Sequence, residues 1–276
     1  MMNNILEAPV INSPWQHCYI NNVLPPELWD AVNEAATLMA PHVKQGSYSI
    51  DITEALDFGV PQSTIDMIVE YSDALLEIHK EVLGKFSHTS LTKHGYISDI
   101  RWNFSKNRLE PIHDDKANIN KMMTFVIYVS PDRDTGTVIY TEPQEHGYHS
   151  TVPWTPNSGI LFCPEDQVTW HTYQSGNTPR ITLNLYYHGL DCWFESPEFR
   201  NNAVLKQRLT RIKWIRDMFE NGKLYRCYEG DIFEIFKIFD ERMKNELENG
   251  CGTQSDRKST RLNSSHTDIS RMPSSA

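Results

Sequence analysis

The chain has 276 residues, a formal charge of −10, and 39% hydrophobic and 11% aromatic residues, enough apolar material for one large packed core or two small ones. The acidic balance argues against duplex nucleic acid as a partner, because backbone binding calls for basic surface. No apolar run approaches the ~20 residues of a membrane span, and residues 1–7 lack the basic and apolar regions of a secretory signal.

In chain order, the first predicted element is a helix over 25–39, where Pro25 and Pro26 suit a first turn and apolar residues recur at helical spacing. Residues 46–52 alternate like a short strand. A second helix is expected over 63–83, with Ser63 as its cap and Ile65, Ile68, Leu75, Leu76 and Ile78 on one face. From about Gly95 to His188 the texture changes. Segments 97–104, 122–129, 136–140, 159–162, 168–173 and 180–187 are β-branched and aromatic, punctuated by Pro, Gly, Asn and Asp. A parallel βαβ fold would need helices between them, and none is visible. The expected fold is therefore mainly β, a double-sheet jelly roll buttressed by helices on both sides.

Past Pro197 the pattern returns to helix. Val204, Leu205, Leu209, Ile212, Ile215 and Phe219 make one stripe; Ile232, Ile235, Phe236, Phe239 and Met243 make another, opened by Asp231. The first of these carries a basic outer face (Lys206, Arg208, Arg211, Lys213, Arg216), read as a solvated surface over a packed stripe. With no repeat and no linker, residues 1–255 are expected to form one domain. Residues 256–276 are polar and without period, and they resemble the translation of a widely used short-read sequencing adaptor. They are set aside as a non-native or disordered tail. The five cysteines, Cys18, Cys163, Cys192, Cys227 and Cys251, form no C-x-x-C pair, which favours reduced thiols in a cytoplasm.

The chemistry concentrates in the β region. In an extended strand, side chains at i and i+2 share a face, so His113 and Asp115 converge on one point and Asp114 turns away. His171, in the aromatic segment 168–173, is the candidate third ligand. Two imidazoles and one carboxylate make a facial triad, which leaves positions open on a non-haem Fe(II). Arg180 and Thr182 follow on one strand face, presenting a bidentate cation and a hydroxyl to one carboxylate. His146 and His149 have metal-pair spacing but lie in a polar loop. Trp154, Trp170, Tyr173 and Trp193 could line a pocket or pack a core.

This constellation of H-x-D, distal His and R-x-T resembles the Fe(II)- and 2-oxoglutarate-dependent dioxygenases, in particular the prolyl-4-hydroxylase-like branch. The resemblance covers roughly residues 95 to 188. It implies that His113, Asp115 and His171 bind Fe(II), and that Arg180 and Thr182 hold the distal carboxylate of 2-oxoglutarate. It further implies that Tyr128 lends a hydroxyl and that Asn103 lies near the co-substrate. O2 would be consumed, and succinate and CO2 released, as a substrate C–H is hydroxylated. Thr135-Gly136-Thr137 departs from the Gly-Gly pair of many relatives and bears on the substrate-side loop. A carboxylate at 115 favours hydroxylation over halogenation. Two alternatives use the same fold: a cupin-type metalloenzyme without 2-oxoglutarate, which has no need of Arg180, and a non-catalytic binding module, which would bury unpaired charges at a cost. The expected partner is a small-molecule or peptidyl substrate; its identity and the oligomeric state are left open.

Overall fold

The computed structural model describes residues 2–86, 96–115, 121–144, 147, 149–165, 167–189, 227–228, 237 and 241. The expected helices over 204–219 and 232–243, Trp193, His146 and the tail lie outside them, apart from isolated positions. The chain divides into two compact units, Met1–Ile235 and Phe236–Ala276. The sheets and the helices packed on them belong to the first unit.

The chain opens with α1 (Asn3–Glu7), β1 (Cys18–Asn21) and α2 (Pro26–Met39), followed by β2 (Gly46–Asp51). Pro25 caps α2 and Pro26 starts it, where a missing N–H costs nothing. Asp51 ends β2 and opens a 3₁₀ turn through a capping box with Glu54. The expected helix over 63–83 is two helices, α3 (Gln62–Glu77) and α4 (His79–Lys85), broken at Ile78. Its cap is Pro61, not Ser63. No helix among the described residues is long and apolar enough to cross a membrane.

The strands that follow are β3 (Tyr96–Lys106), β4 (Arg108–Leu109), β5 (Lys121–Ser130), β6 (Thr137–Tyr140) and β7 (His149–Val152). After these come β8 (Ser158–Phe162), β9 (His171–Thr172), β10 (Gln174–Ser175), β11 (Arg180–Gly189) and β12 (Cys227–Tyr228). The expected strand over 168–173 contracts to β9. The short strands β1 and β7 lie outside the expected segments, although Cys18 and Ile20 of β1 belong to the core. The principal sheet runs β1-β8-β5-β11-β3-β12, with β2 also on β3. Its pairs are all antiparallel. The second layer comprises β7-β6-β9 and β10-β4. A backbone bridge between His113 and His171 ties its two parts together. From β3 to β11 the chain alternates between the layers, and this is the jelly-roll path expected from the sequence.

The alternation along β11 decides what each face does. Ile181, Leu183, Leu185 and Tyr187 pack with Trp102, Phe125 and Ile127 and with Val32, Ile68 and Leu75 of α2 and α3 in one large core. Arg180, Thr182, Asn184 and Tyr186 point the other way, into a cleft between the layers. A smaller core, made of Trp15, Tyr128, Ile139, Val152, Ile160 and Phe162, closes one side of that cleft. Close approach of neighbouring strands within each layer demands glycine at two points. A Cβ on Gly136 would sit 1.6 Å from the Val152 carbonyl oxygen, and one on Gly159 would sit 2.6 Å from that of Val126.

Candidate metal centre and anion pocket

His113, Asp115 and His171 come together as expected: one donor atom from each lies within 4.8 Å of the others. The route differs from the strand-face argument. His113 sits at an isolated bridge, exchanging both backbone hydrogen bonds with His171 (3.0 and 2.8 Å). Asp115 lies beyond it with φ +65°, in the left-handed region. The carboxylate is thus swung back beside the imidazole by a turn and not by strand pleating; its Oδ1 lies 3.7 Å from His113 Nε2. Asp114 does turn away, and is buried. Its Oδ2 accepts from the Gln167 N–H (2.9 Å) and its carbonyl accepts from the Thr169 hydroxyl (2.7 Å), anchoring the loop that leads into His171.

Both imidazoles are held in one tautomer. His113 Nδ1 lies 2.8 Å from the Pro111 carbonyl and His171 Nδ1 lies 2.7 Å from that of Thr169. A carbonyl can only accept, so each Nδ1 carries the proton and each Nε2 keeps a lone pair for the cleft. Burial, with His113 alongside, lowers the His171 pKa to about 4, so its ring is neutral at physiological pH. Phe162 and Trp15 stand edge-on to that ring, with centroids at 5.3 and 6.3 Å. Burial alone would raise the Asp115 pKa. Lys121, with Nζ 3.0 Å from Oδ1, outweighs it and holds the carboxyl well below the usual range. Two imidazole Nε2 atoms and an ionised carboxylate form a donor set suited to a divalent first-row metal with open positions.

Arg180 is 3% exposed. Its guanidinium lies 4.2 Å from the Tyr173 ring centroid, 4.7 Å from that of Trp154 and 5.6 Å from that of Tyr128. Yet Nε and Nη2 have no hydrogen-bond partner among the described residues. The nearest carboxylate oxygen, Asp134 Oδ2, is 3.9 Å from Nε, too far for a hydrogen bond. A buried cation with open N–H groups is an anion site in waiting, because leaving it unpaired is costly. Thr182 and Asn103 are register partners on β11 and β3, and both line the same cleft. Tyr128 lies behind the lining, its hydroxyl 2.7 Å from Thr137 Oγ1 and its ring stacked on Trp154. Of the other aromatic candidates, Tyr173 lines the cleft. Trp154 covers Arg180 and donates to the Pro131 carbonyl at 2.7 Å. Trp170 contributes its backbone carbonyl to the Trp15 indole at 3.2 Å. His149 is exposed against Tyr140.

Sequence reasoning missed Lys121, Trp15, Asn184 and Tyr186. Strand alternation from Arg180 could have reached Asn184 and Tyr186; no local signal marks Trp15 or Lys121.

No family model matches the sequence, and no match to a curated protein was found. Solved structures share part of the arrangement. A prolyl hydroxylase from Trichoplax adhaerens, in complex with a hypoxia-inducible-factor peptide fragment, is 13% identical with a TM-score of 0.49, over 64% of this chain and 84% of that one. A prolyl-4-hydroxylase from Pseudomonas putida is 13% identical with a TM-score of 0.46, over 68% and 99%. A prolyl 4-hydroxylase structure from Phytophthora capsici is 15% identical with a TM-score of 0.46, over 85% and 84%. At this identity and overlap they assign no residue role to this chain.

Proposed function

We propose that this chain is an Fe(II)- and 2-oxoglutarate-dependent dioxygenase of the prolyl-4-hydroxylase-like branch, hydroxylating a small-molecule or peptidyl substrate with release of succinate and CO2. The observation that carries this reading is one cleft lined by both the three-donor cluster and a buried guanidinium whose Nε and Nη2 have no hydrogen-bond partner among the described residues. Bound iron would supply the open positions at which 2-oxoglutarate and O2 react, coupling decarboxylation to oxidation of a substrate C–H. His113, Asp115 and His171 would hold it, their orientation set by the Pro111 and Thr169 carbonyls. Arg180 would clamp the distal carboxylate of 2-oxoglutarate, with the Thr182 hydroxyl beside it and Asn103 flanking. Tyr128 stiffens this end through Thr137 and Trp154, while Trp15 and Phe162 keep water from one side of His171. A cupin-type centre without 2-oxoglutarate leaves Arg180 without a purpose. We read residues 1–255 as the functional domain and 256–276 as a non-native tail; the buried free thiol of Cys18 fits a reducing cytoplasm.

Anaerobic titration with Fe(II) and 2-oxoglutarate tests this, followed by the weak visible charge-transfer absorption of the chelate. Wild type should develop the band, whereas His113→Ala and Arg180→Ala should not. No band in wild type, or identical behaviour in all three proteins, overturns the proposal.

A further inference from the structure

The cleft has a second polar end that the metal ligands and Arg180 leave unused. Arg180 stays at the start of β11. Its guanidinium is held there by Tyr173, whose hydroxyl meets Ser47 at 2.8 Å, and by Trp154, tied to Pro131. Asn184 and Tyr186 lie on the same face four and six residues further along, and the Tyr186 hydroxyl reaches back to Asn103, the register partner of Thr182. A dicarboxylate gripped by Arg180 brings acceptors alone, so it satisfies no amide oxygen there. Asn184 and Tyr186 belong instead to the end where Lys121, the register partner of His188 on β11, meets Asp115.

The hydrogen bonding there is lopsided. Asn184 Nδ2 donates to the Tyr186 hydroxyl oxygen at 2.6 Å, and Asn103 Nδ2 donates to the same atom at 3.2 Å. Both amides are thereby turned so that their Oδ1 atoms, though buried, have no partner among the described residues. The phenol has spent its oxygen on two N–H groups and retains its own proton to donate; burial raises its pKa, so it stays protonated. Lys121 Nζ lies 4.1 Å from the Tyr186 ring centroid. Asn184 is 4% exposed, and a buried acceptor without a partner costs free energy until something donates to it.

We propose that Asn184 and Tyr186, together with the Asn103 amide oxygen that a flanking 2-oxoglutarate has no donor to satisfy, form the subsite for the primary substrate, and that it takes an uncharged group carrying two N–H or O–H donors and one acceptor. The donors would satisfy the two amide oxygens; the acceptor would receive the Tyr186 O–H. A carboxamide and a vicinal diol share this chemistry. A carboxylate brings acceptors alone, a guanidinium donors alone, and an apolar group neither. This rests on the dioxygenase reading, since that reading places 2-oxoglutarate at Arg180.

The test uses the full chain loaded with Mn(II) and 2-oxoglutarate, with ligand-observed NMR of acetamide, N,N-dimethylacetamide, ethylene glycol and acetate. Acetamide or ethylene glycol, or both, should bind at least about fivefold more strongly than N,N-dimethylacetamide or acetate. Which of the two binds distinguishes an amide from a diol substrate. Asn184→Leu should abolish that preference while leaving 2-oxoglutarate affinity within about twofold. Tyr186→Phe, which removes one oxygen and keeps the ring, should weaken it and serves if Asn184→Leu does not fold. The subsite is overturned by equal binding of acetamide and its dimethyl analogue with no preference for the glycol, by binding of none, or by loss of 2-oxoglutarate affinity in Asn184→Leu. Failure of wild type to bind 2-oxoglutarate at all sinks the dioxygenase reading instead.

Discussion

Arg180→Met separates a functional cation from a structural one. The guanidinium is buried among Tyr173, Trp154 and Tyr128, and its Nε and Nη2 donate to nothing among the described residues. A carboxylate that docks there gains two charge-assisted hydrogen bonds, each worth about 1.5–3 kcal/mol. Stripping water from that carboxylate offsets part of the gain, leaving about 3 kcal/mol, roughly 150-fold in Kd at ~1.4 kcal/mol per tenfold. Stability should behave differently. Methionine fills most of the volume and removes a desolvated charge. The lost cation–π contacts, about 0.5–2 kcal/mol each, work against that relief. Net stability should therefore change by less than about 1 kcal/mol, a few degrees in Tm for a domain of this size. Calorimetric titration of 2-oxoglutarate into the Mn(II)-loaded protein measures the first quantity and a thermal melt the second. Affinity retained within about threefold would refute the anion-site assignment. A fall in Tm beyond about 8 °C would show that Arg180 holds the fold together instead.

Three further outcomes are expected from the geometry. His171→Ala should weaken Mn(II) binding by about two orders of magnitude or more in competition with a fluorescent chelator; binding unchanged by this substitution would place the metal elsewhere. Gly136→Ala should cost more than about 3 kcal/mol, because its Cβ would fall 1.6 Å from the Val152 carbonyl oxygen; a melt matching wild type would show that this loop yields freely. The third concerns acid stability. Burial would raise the pKa of Asp99, but His188 and Arg101, with Nε at 2.8 Å, outweigh it and hold the carboxyl at about 2. Its unfolded value is about 3.9, so its contribution of about 2 kcal/mol is complete above that pH and disappears as pH falls toward 2. Urea unfolding at pH 6 and pH 3 should show a shallower loss for Asp99→Asn than for wild type; equal losses would exclude this carboxylate as the cause.

Residue type located the sheet, through β-branched and aromatic segments between turn residues, and strand alternation sorts its faces. In β11 the alternation of Ile181, Leu183, Leu185 and Tyr187 with Arg180, Thr182, Asn184 and Tyr186 already separates helix-facing from cleft-facing residues, because strand geometry has period two whatever surrounds it. The same local rule paired Arg180 with Thr182, and residue type marked His113, Asp115 and His171 as donors. Their convergence could not be derived that way. Asp115 reaches the imidazoles through a left-handed turn that the surrounding packing selects, and His171 arrives by a backbone bridge to a residue far away in the chain. The break at Ile78 likewise has no local signature, and β1 and β7, at four residues each, are too short to carry a periodic one. Propensity cannot report a pairing whose stability comes from its partner. Lys121 at Asp115, the open guanidinium of Arg180 and the two unmet amide oxygens above Tyr186 are properties of burial. Burial exists only once distant segments have closed over one another, so the tertiary structure alone decided which of these polar groups satisfy each other and which are left facing the cleft.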